Sequence, residues 1–335
     1  MKKLLIISIF CFSFSFGSKA QYSWGHNHFE VGGAVGISNY FGELVSSTFH
    51  YKHLHFSGGI FLRYNIGKYI SLRLQGNYGN LSGDDKDSKN AANNMRNLHF
   101  KSHLIEVGFM AECNLMGYQP RSLERVFSPY VFLGISVFNY NPKVKHFDPA
   151  LEGKWVEVKP YNTEGQGLPE FPERKTYSTT QVAVPMGLGV KVAVHSHINL
   201  GFEVGFRATF TDYIDDVGQT YAVNLFTNPP TSLYDQTPYE SPAGASFGGK
   251  SEQELMADRT YQYIVESLGG QFGVDFPTED QYQQAVNQRG LNRGDKANDA
   301  FLITNLTVSY NFIDNGLAGA RKRRKRKAGC KSAQF

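Results

Sequence analysis

Residues 182–211 read VAVPMGLGVKVAVHSHINLGFEVGFRATFT. From residue 198 onward, every second side chain is bulky and apolar, and the side chains between them are small, polar or charged. Such period-two alternation is typical of a β-strand with one apolar face and one polar face. The first half alternates in the same way, so the stretch predicts an antiparallel hairpin of two strands, 182–194 and 198–211.

Both predicted strands are longer than most strands of soluble proteins, which have about 5–6 residues. A tilted strand needs about 9–11 residues to cross a bilayer, and each half of the hairpin exceeds that length. We therefore interpret the bulky face as facing lipid and the other face as lining a barrel lumen. The alternative is a soluble, long-stranded barrel of the lipocalin type, with its apolar face inside.

The composition agrees with a membrane barrel. The chain has 335 residues, 34 of them glycine, with 14% aromatic residues and a mean hydropathy of −0.36. Apart from the N-terminus, no run of about 20 apolar residues predicts a transmembrane helix. A barrel has this profile because its lipid-facing residues are diluted by a polar lumen and by loops.

The N-terminus predicts a secretory signal peptide, residues 1–20. Two lysines precede the apolar run 4–16, and small residues around Ser18 and Ala20 indicate cleavage after Ala20. Cleavage removes Cys11 and leaves Cys113 and Cys330, so no disulfide framework is expected.

Eight strands are expected within an outer-membrane barrel domain, residues 21–315. Short connections alternate with long ones along the chain, as in barrels with short periplasmic turns and long external loops. Strand 129–139 is apolar on both parities, which leaves its two faces unassigned. The predicted strands are 29–37, 55–66, 69–80, 100–116, 129–139, 182–194, 198–211 and 300–312.

Charged residues on the inward parity are balanced, with four acids and four bases. An eight-stranded barrel is only wide enough for its interior to be filled by side chains. We therefore expect a salt-bridged plug rather than an open pore, the alternative being a proton or ion path. These eight residues, called the lumen cluster below, are Glu30, Arg63, Arg73, Glu106, Glu112, Lys191, Glu203 and Arg207.

The last external loop, residues 213–299, holds thirteen acids and five bases. It is first proline-rich and then helical in pattern, and Ser251 with Glu254 resembles a capping box that opens a helix over 252–267. A second helix is expected around 278–288. The loop is interpreted as a small external cap.

Catalytic and metal motifs are weak in this sequence. Histidines recur at alternate positions, for example His195 and His197, but no nearby cysteine or carboxylate completes a metal site. No nucleophile motif of the G-x-S-x-G kind is present. We expect no enzyme activity, no metal and no cofactor.

The segment 316–335, called the basic tail below, holds eight lysines and arginines and no acid, whereas the chain from residue 21 to 315 has more acids than bases. Eight strands place both chain ends in the periplasm, where no nucleic acid is met. The tail is therefore expected to bind an acidic periplasmic partner or lipid phosphates, unless it is only solvated. The lone thiol of Cys330 suggests a disulfide to another chain. The predicted partner-binding residues are Arg321, Lys322, Arg323, Arg324, Lys325, Arg326, Lys327 and Cys330.

Three motifs in this order resemble one known family. They are NYFGEL at 39–44, SPYVFLG at 128–134 and TDYIDDV at 211–217, downstream of a signal peptide that ends in Ala20. The chain resembles the PorG-like (DUF6089-type) outer-membrane barrels of the type IX (Por) secretion system. The very long final loop departs from that pattern.

This resemblance implies a non-enzymatic component of the type IX secretion and gliding machinery. Such barrels tie a periplasmic ring, made of a lipoprotein and a partner protein, to the outer membrane. The hypothesis is that 321–327 bind an acidic face of the ring lipoprotein and that Cys330 forms a mixed disulfide with it. The competing interpretations are an adhesin or small-ligand binder that acts through its external loops, and a narrow channel.

Overall fold

The computed structural model describes residues 27–45, 51–120, 126–151, 153–195, 197–224, 231–294 and 297–312. Eight long strands close into an antiparallel barrel, in which each pairs with the next along the chain and the last pairs with the first. Three further strands are short and lie in the connections. In chain order the strands are β1 (His28–Phe41), β2 (His55–Ile66), β3 (Ile70–Asp84), β4 (His99–Asn114), β5 (Phe127–Lys145), β6 (Trp155–Glu157), β7 (Thr180–His195), β8 (Ile198–Thr209), β9 (Val223–Asn224), β10 (Thr231–Ser232) and β11 (Ala300–Phe312). The predicted eight-stranded up-and-down barrel is confirmed.

The outer face of the barrel is an apolar band. On β4, Ile105, Val107 and Phe109 are 48%, 56% and 50% exposed, whereas Glu106 and Met110 on the other parity are buried. The remaining barrel strands alternate in the same sense. Because the charged parity is inside and the apolar parity outside, the lipocalin-type alternative is wrong. A continuous exposed apolar surface of this size needs a membrane to cover it.

Strand β5 has a defined inside, although its sequence did not reveal it. Val131, Leu133 and Ile135 point outward and are exposed, whereas Tyr130 and Phe132 are buried in the lumen. Large aromatic rings fill the lumen on this side. That is why both parities of β5 are apolar.

The short connections lie at one end of the barrel. The turn between β2 and β3 uses Gly67 with φ +72°, a backbone conformation that favours glycine. Phe29 near the start of β1 pairs with Phe312 at the end of β11, so both ends of the barrel domain lie with these turns. In barrels of this kind the short turns are periplasmic.

The described parts of the long connections 146–179 and 210–299 form a folded cap at the opposite end. The buried side chains of Phe147, Phe247 and Tyr261 make a separate apolar core there, together with Met256 and Val265. No helix in the described part of the chain is long and apolar enough to span a membrane. The helices are α1 (Ala91–Arg96), before β4, and α2 (Glu252–Ala257), α3 (Thr260–Ser267) and α4 (Glu279–Arg289) within the cap.

The predicted helix 252–267 is wrong as one element, because it is split into α2 and α3. Asp258 lies at the break, where its carboxylate accepts a hydrogen bond from the Thr260 N–H (3.0 Å) and another from the Tyr282 hydroxyl (2.8 Å). Ser251 caps α2 as expected, but the Glu254 carboxylate accepts from Tyr261 (2.9 Å). Side-chain bonds to the rest of the cap therefore outweigh helical continuity.

The second predicted helix, around 278–288, is present as α4. Thr278 and Gln281 form a reciprocal capping box at its start, in which each side chain bonds the backbone of the other residue. This device satisfies two backbone N–H groups that have no partner inside the helix.

Candidate functional site

Glu112 of β4 is the centre of the lumen cluster. Its carboxylate lies 2.9 Å from Arg63 Nε, 3.1 Å from Arg73 Nε and 3.3 Å from Lys191 Nζ. All four side chains are at most 3% exposed. One acid from β4 therefore joins bases from β2, β3 and β7 across the lumen.

Two of the bases that contact Glu112 also pair with a second acid, Glu30 or Glu203. Arg63 also pairs with Glu30 of β1, whose carboxylate accepts a further hydrogen bond from Asn65 (3.2 Å). Arg73 pairs with Glu203 of β8, which also accepts from the Tyr130 hydroxyl at 2.8 Å.

The last two members of the lumen cluster, Glu106 and Arg207, form a separate pair nearer the cap end of the barrel. Arg207 Nε of β8 lies 3.3 Å from the Glu106 carboxylate, and neither side chain is exposed. Asn77 donates a 2.7 Å hydrogen bond to Glu106 as well. All eight residues of the lumen cluster thus point inward and take part in ion pairs.

Aromatic rings fill the space between the charges. The Arg63 guanidinium lies 4.7 Å from the Phe61 ring centroid, and the Arg73 guanidinium lies 5.0 Å from that of Phe132. Such contacts stabilise desolvated cations further. The lumen is therefore packed with side chains, as the width of an eight-stranded barrel allows.

A second barrier closes the lumen beneath the cap. Phe138 and Phe301 meet edge to face with centroids 5.4 Å apart, and Tyr40 contacts Phe100 at 4.8 Å. These rings belong to one fully buried apolar cluster at the cap end of the barrel.

We expect no channel activity from this protein. The full chain, reconstituted in planar bilayers, should give the conductance of lipid alone, because ions meet both the lumen cluster and the aromatic barrier. Stepwise single-channel currents from the purified protein would contradict a blocked lumen.

Four acidic side chains converge around the hydroxyl of Tyr40 where the barrel meets the cap. These five residues, called the mouth cluster below, are Tyr40, Glu43, Asp212, Asp215 and Asp299. The Tyr40 hydroxyl lies within hydrogen-bond distance of the Asp215 carboxylate (2.7 Å) and of the Asp299 carboxylate. A hydroxyl has one hydrogen to donate, so both contacts are hydrogen bonds only when one of the two carboxyl groups carries a proton.

The sequence does not single out the mouth cluster as a site, although four of its residues lie in the motifs NYFGEL and TDYIDDV and only Asp299 lies outside them. Glu43, Asp212 and Asp299 each place a carboxylate oxygen within 4.8 Å of the other two. Carboxylates in this arrangement suit a hard cation such as Ca²⁺. Within the described ranges, no histidine completes such a group.

The cap should lose stability as the pH rises. Burial, and then the charge of Glu43, raises the pKa of Asp215 well above its usual range, and burial, followed by Asp215, does the same for the pKa of Asp299. The folded state then holds protons that the unfolded chain releases above its ordinary pKa of about 4. The free energy of unfolding therefore falls as pH rises through the folded pKa values.

This pH dependence can be measured as the urea midpoint between pH 5 and pH 9, followed by Trp155 fluorescence in a Trp24→Phe background. Asp215→Asn should flatten the decline, whereas Glu240→Gln, an exposed acid of the same loop, should keep it. Equal slopes in both variants would show that the mouth cluster holds no shared proton.

The predicted partner-binding residues, 321–327 and Cys330, lie outside the described residues. Their point of departure is defined, because β11 ends at Phe312 beside the short turns. Cys113 lies exposed on the outer face of β4 and pairs with Ile70 beside the β2–β3 turn, so it is at the same end of the barrel as Phe312 but on a different strand.

Residues 7–227 match the family described as outer membrane protein beta-barrel domain. No curated protein matches the sequence. Among solved structures, Neisserial surface protein A shares 10% identity and a TM-score of 0.36, over 85% of this chain and 97% of that one. A major outer membrane protein from Thermus thermophilus shares 12% identity and a TM-score of 0.35, over 85% and 99%.

The attachment invasion locus protein of Yersinia pestis, Ail, is also similar, with 8% identity and a TM-score of 0.31, over 86% of this chain and 99% of that one. The family match spans more than half of the chain. The charged, filled lumen and the apolar outer band are what such a protein requires in a bilayer. The chain belongs to the outer membrane protein β-barrel domain family, whose members lie in the outer membrane.

Proposed function

We propose that this barrel is a non-enzymatic component of the type IX protein secretion and gliding machinery. It anchors a periplasmic ring lipoprotein and its ring partner to the outer membrane, through its periplasmic face and the basic tail. The observation that carries the proposal is the blocked lumen combined with a chain that leaves the barrel beside the short turns.

A blocked barrel is suited to anchoring rather than to transport. The lumen cluster and the aromatic barrier leave no path for a polypeptide through the described part of the barrel. Its outer face instead fixes the chain in outer-membrane lipid. A partner bound at the periplasmic end would be held at the membrane surface.

The basic tail supplies the charge for such a contact. Seven consecutive bases, 321–327, follow the last strand by fewer than ten residues. Twenty extended residues reach at most about 70 Å. A dense positive segment attracts an acidic protein face and accelerates its association.

Copurification tests this role. The full chain should capture the ring lipoprotein from solubilised membranes, and a variant with 321–327 changed to glutamine should lose both capture and secretion while still inserting. A matched control replaces Lys89, Lys154 and Lys175, exposed bases elsewhere, and should behave as wild type. Full capture and secretion by the tail variant would overturn the anchoring role.

Cys330 adds a covalent test. In the oxidising periplasm its thiol and a partner thiol can lose two electrons and two protons to the thiol oxidants of that compartment, which forms a mixed disulfide. Non-reducing gels should show a shifted band for wild type that is lost in Cys330→Ala. Identical bands would exclude the disulfide and leave the charge-based contact to the copurification experiment.

A second candidate function is an adhesin or small-ligand binder that acts through the external loops. The folded cap favours it, because a cleft of about 720 Å³ lies between the cap and the ends of the barrel strands. Removal of the basic tail separates the two candidates. Anchoring predicts a loss of secretion, whereas an external binder would secrete normally.

A further inference from the structure

The cleft beside the cap has a mixed lining. Phe100, Phe147, Trp155 and Phe272 contribute aromatic walls, and the side chain of Arg259 lies among them. Its volume of about 720 Å³ falls within the range of about 300–1,000 Å³ that is common for small-ligand sites. The cleft is formed by the strand ends and the cap, and is separate from the lumen cluster.

Arg259 is a buried cation with neutral partners. Its side chain is 3% exposed, and its donors reach the Lys145 carbonyl and, at 3.5 Å, the amide oxygen of Gln262. It makes no ion pair with any residue of the described ranges. Burial, and then the charge of Arg293, lowers the pKa of Arg259 to about 10. A buried charge without a counter-charge is costly.

Lys145 provides a second base at the cleft. Its ammonium lies 5.9 Å from the Trp155 ring centroid and has no ion pair among the described residues. The backbone N–H of Lys145 donates a hydrogen bond to His99 Nε2 (3.1 Å). Because this nitrogen accepts a hydrogen bond, the His99 imidazole is neutral.

The acids of the cleft already have partners. Glu266 pairs with Lys86 at 3.2 Å, and Asp84 accepts the Lys86 N–H at 2.9 Å. The Asp148 carboxylate accepts hydrogen bonds from Ser241 (2.6 Å) and from the Tyr239 hydroxyl (3.1 Å). Among the lysines and arginines that line the cleft, Arg259 and Lys145 are the two that make no ion pair with a described residue, whereas Lys86 pairs with Glu266.

We propose that this cleft binds a small external ligand that bears an oxyanion on an apolar ring, with Arg259 and Lys145 holding the anion. The planar guanidinium matches phosphate, sulfate and carboxylate oxygens in pairs. Trp155 and Phe147 contact the ring. The site lies at the opposite end of the barrel from Phe312, the end of β11, and does not depend on the anchoring role.

Calorimetric titration of the detergent-solubilised full chain tests the site with phenyl phosphate as the probe. Phenol and inorganic phosphate are the matched halves of that probe, and both should bind at least tenfold more weakly. Phenyl sulfate and benzoate, titrated in parallel, identify which oxyanion is preferred.

Variants assign the contact. Arg259→Gln should weaken phenyl phosphate binding at least tenfold and Lys145→Gln severalfold, whereas Arg259→Lys should keep part of the affinity. Lys175→Gln removes an exposed lysine outside the cleft and should leave binding unchanged. Because Lys145 is exposed, Lys145→Gln is expected to fold, and its phenyl phosphate affinity tests the proposal even where Arg259→Gln fails to fold.

Two results would overturn the proposal. One is the absence of saturable phenyl phosphate binding to wild type. The other is an affinity that is the same in wild type, Lys145→Gln and folded Arg259→Gln. Neither result would change the outcome of the copurification experiment with the ring lipoprotein. Failure of this site and failure of the anchoring role are therefore distinguishable.

Discussion

Glu112→Gln is expected to lower the free energy of unfolding of the barrel by about 3–5 kcal/mol, because it leaves buried bases without their shared carboxylate. Glutamine keeps the size of the side chain but removes the charge that Arg63, Arg73 and Lys191 all contact. Urea unfolding of the purified protein in lipid vesicles measures the change.

The matched control is Glu266→Gln, which breaks the ion pair with Lys86 on the cap surface, where both side chains are more than 40% exposed. Exposed pairs contribute about 0–1 kcal/mol, so this variant should unfold almost as wild type does. A comparable loss in both variants would mean that Glu112 does not hold the lumen cluster together.

Leu188→Arg should cost about 2–4 kcal/mol, the range for arginine on the lipid face near the bilayer midplane. Leu188 lies midway along β7 on the outer face and is 61% exposed. In water such a substitution at an exposed position would be nearly neutral. The predicted loss therefore depends on hydrocarbon around the barrel.

Val194→Arg is the control on the same strand. Val194 is 57% exposed but lies one residue before the end of β7, at the short-turn end of the barrel. Arginine there should cost only about 0–1 kcal/mol. Equal urea midpoints for the two variants would contradict a depth-dependent lipid contact.

The sequence predicts strands well where one parity is apolar and the other polar. The bounds 55–66 and 300–312 agree with β2 and β11 without change. Strand β5 was predicted too short, as 129–139 instead of Phe127–Lys145, and its faces stayed unassigned. Its inward residues are rings that fill the lumen, so no polar parity marks the inside.

Parity predicts which charges point into the lumen but not which of them meet. Glu112 contacts Lys191, 79 residues away in sequence, because β4 and β7 both pair with β5 and their side chains reach the same height in the lumen. That height depends on the register of every strand between them. Alternation within a single strand contains no such information.

The cap is the part that sequence patterns describe least well. The split at Asp258, the contacts of Tyr40 in the mouth cluster and the burial of Arg259 all involve residues of distant segments. The cap at Ser251 is a local signal that the sequence predicts, and the helix around 278–288 is also predicted from its own segment. Long-range packing then decided where the first helix broke.

Lipid contact of the apolar band is the central claim, and nitroxide accessibility in vesicles tests it most directly. Labels would be placed at Phe109, Leu133 and Leu188 on the outer face, and at the exposed Lys89 outside it, in a Cys113→Ala, Cys330→Ala background. The three outer-face labels should collide more often with oxygen than with a nickel chelate, and the Lys89 label should show the reverse. Equal nickel collisions at all four positions would mean that water, and not hydrocarbon, covers the band.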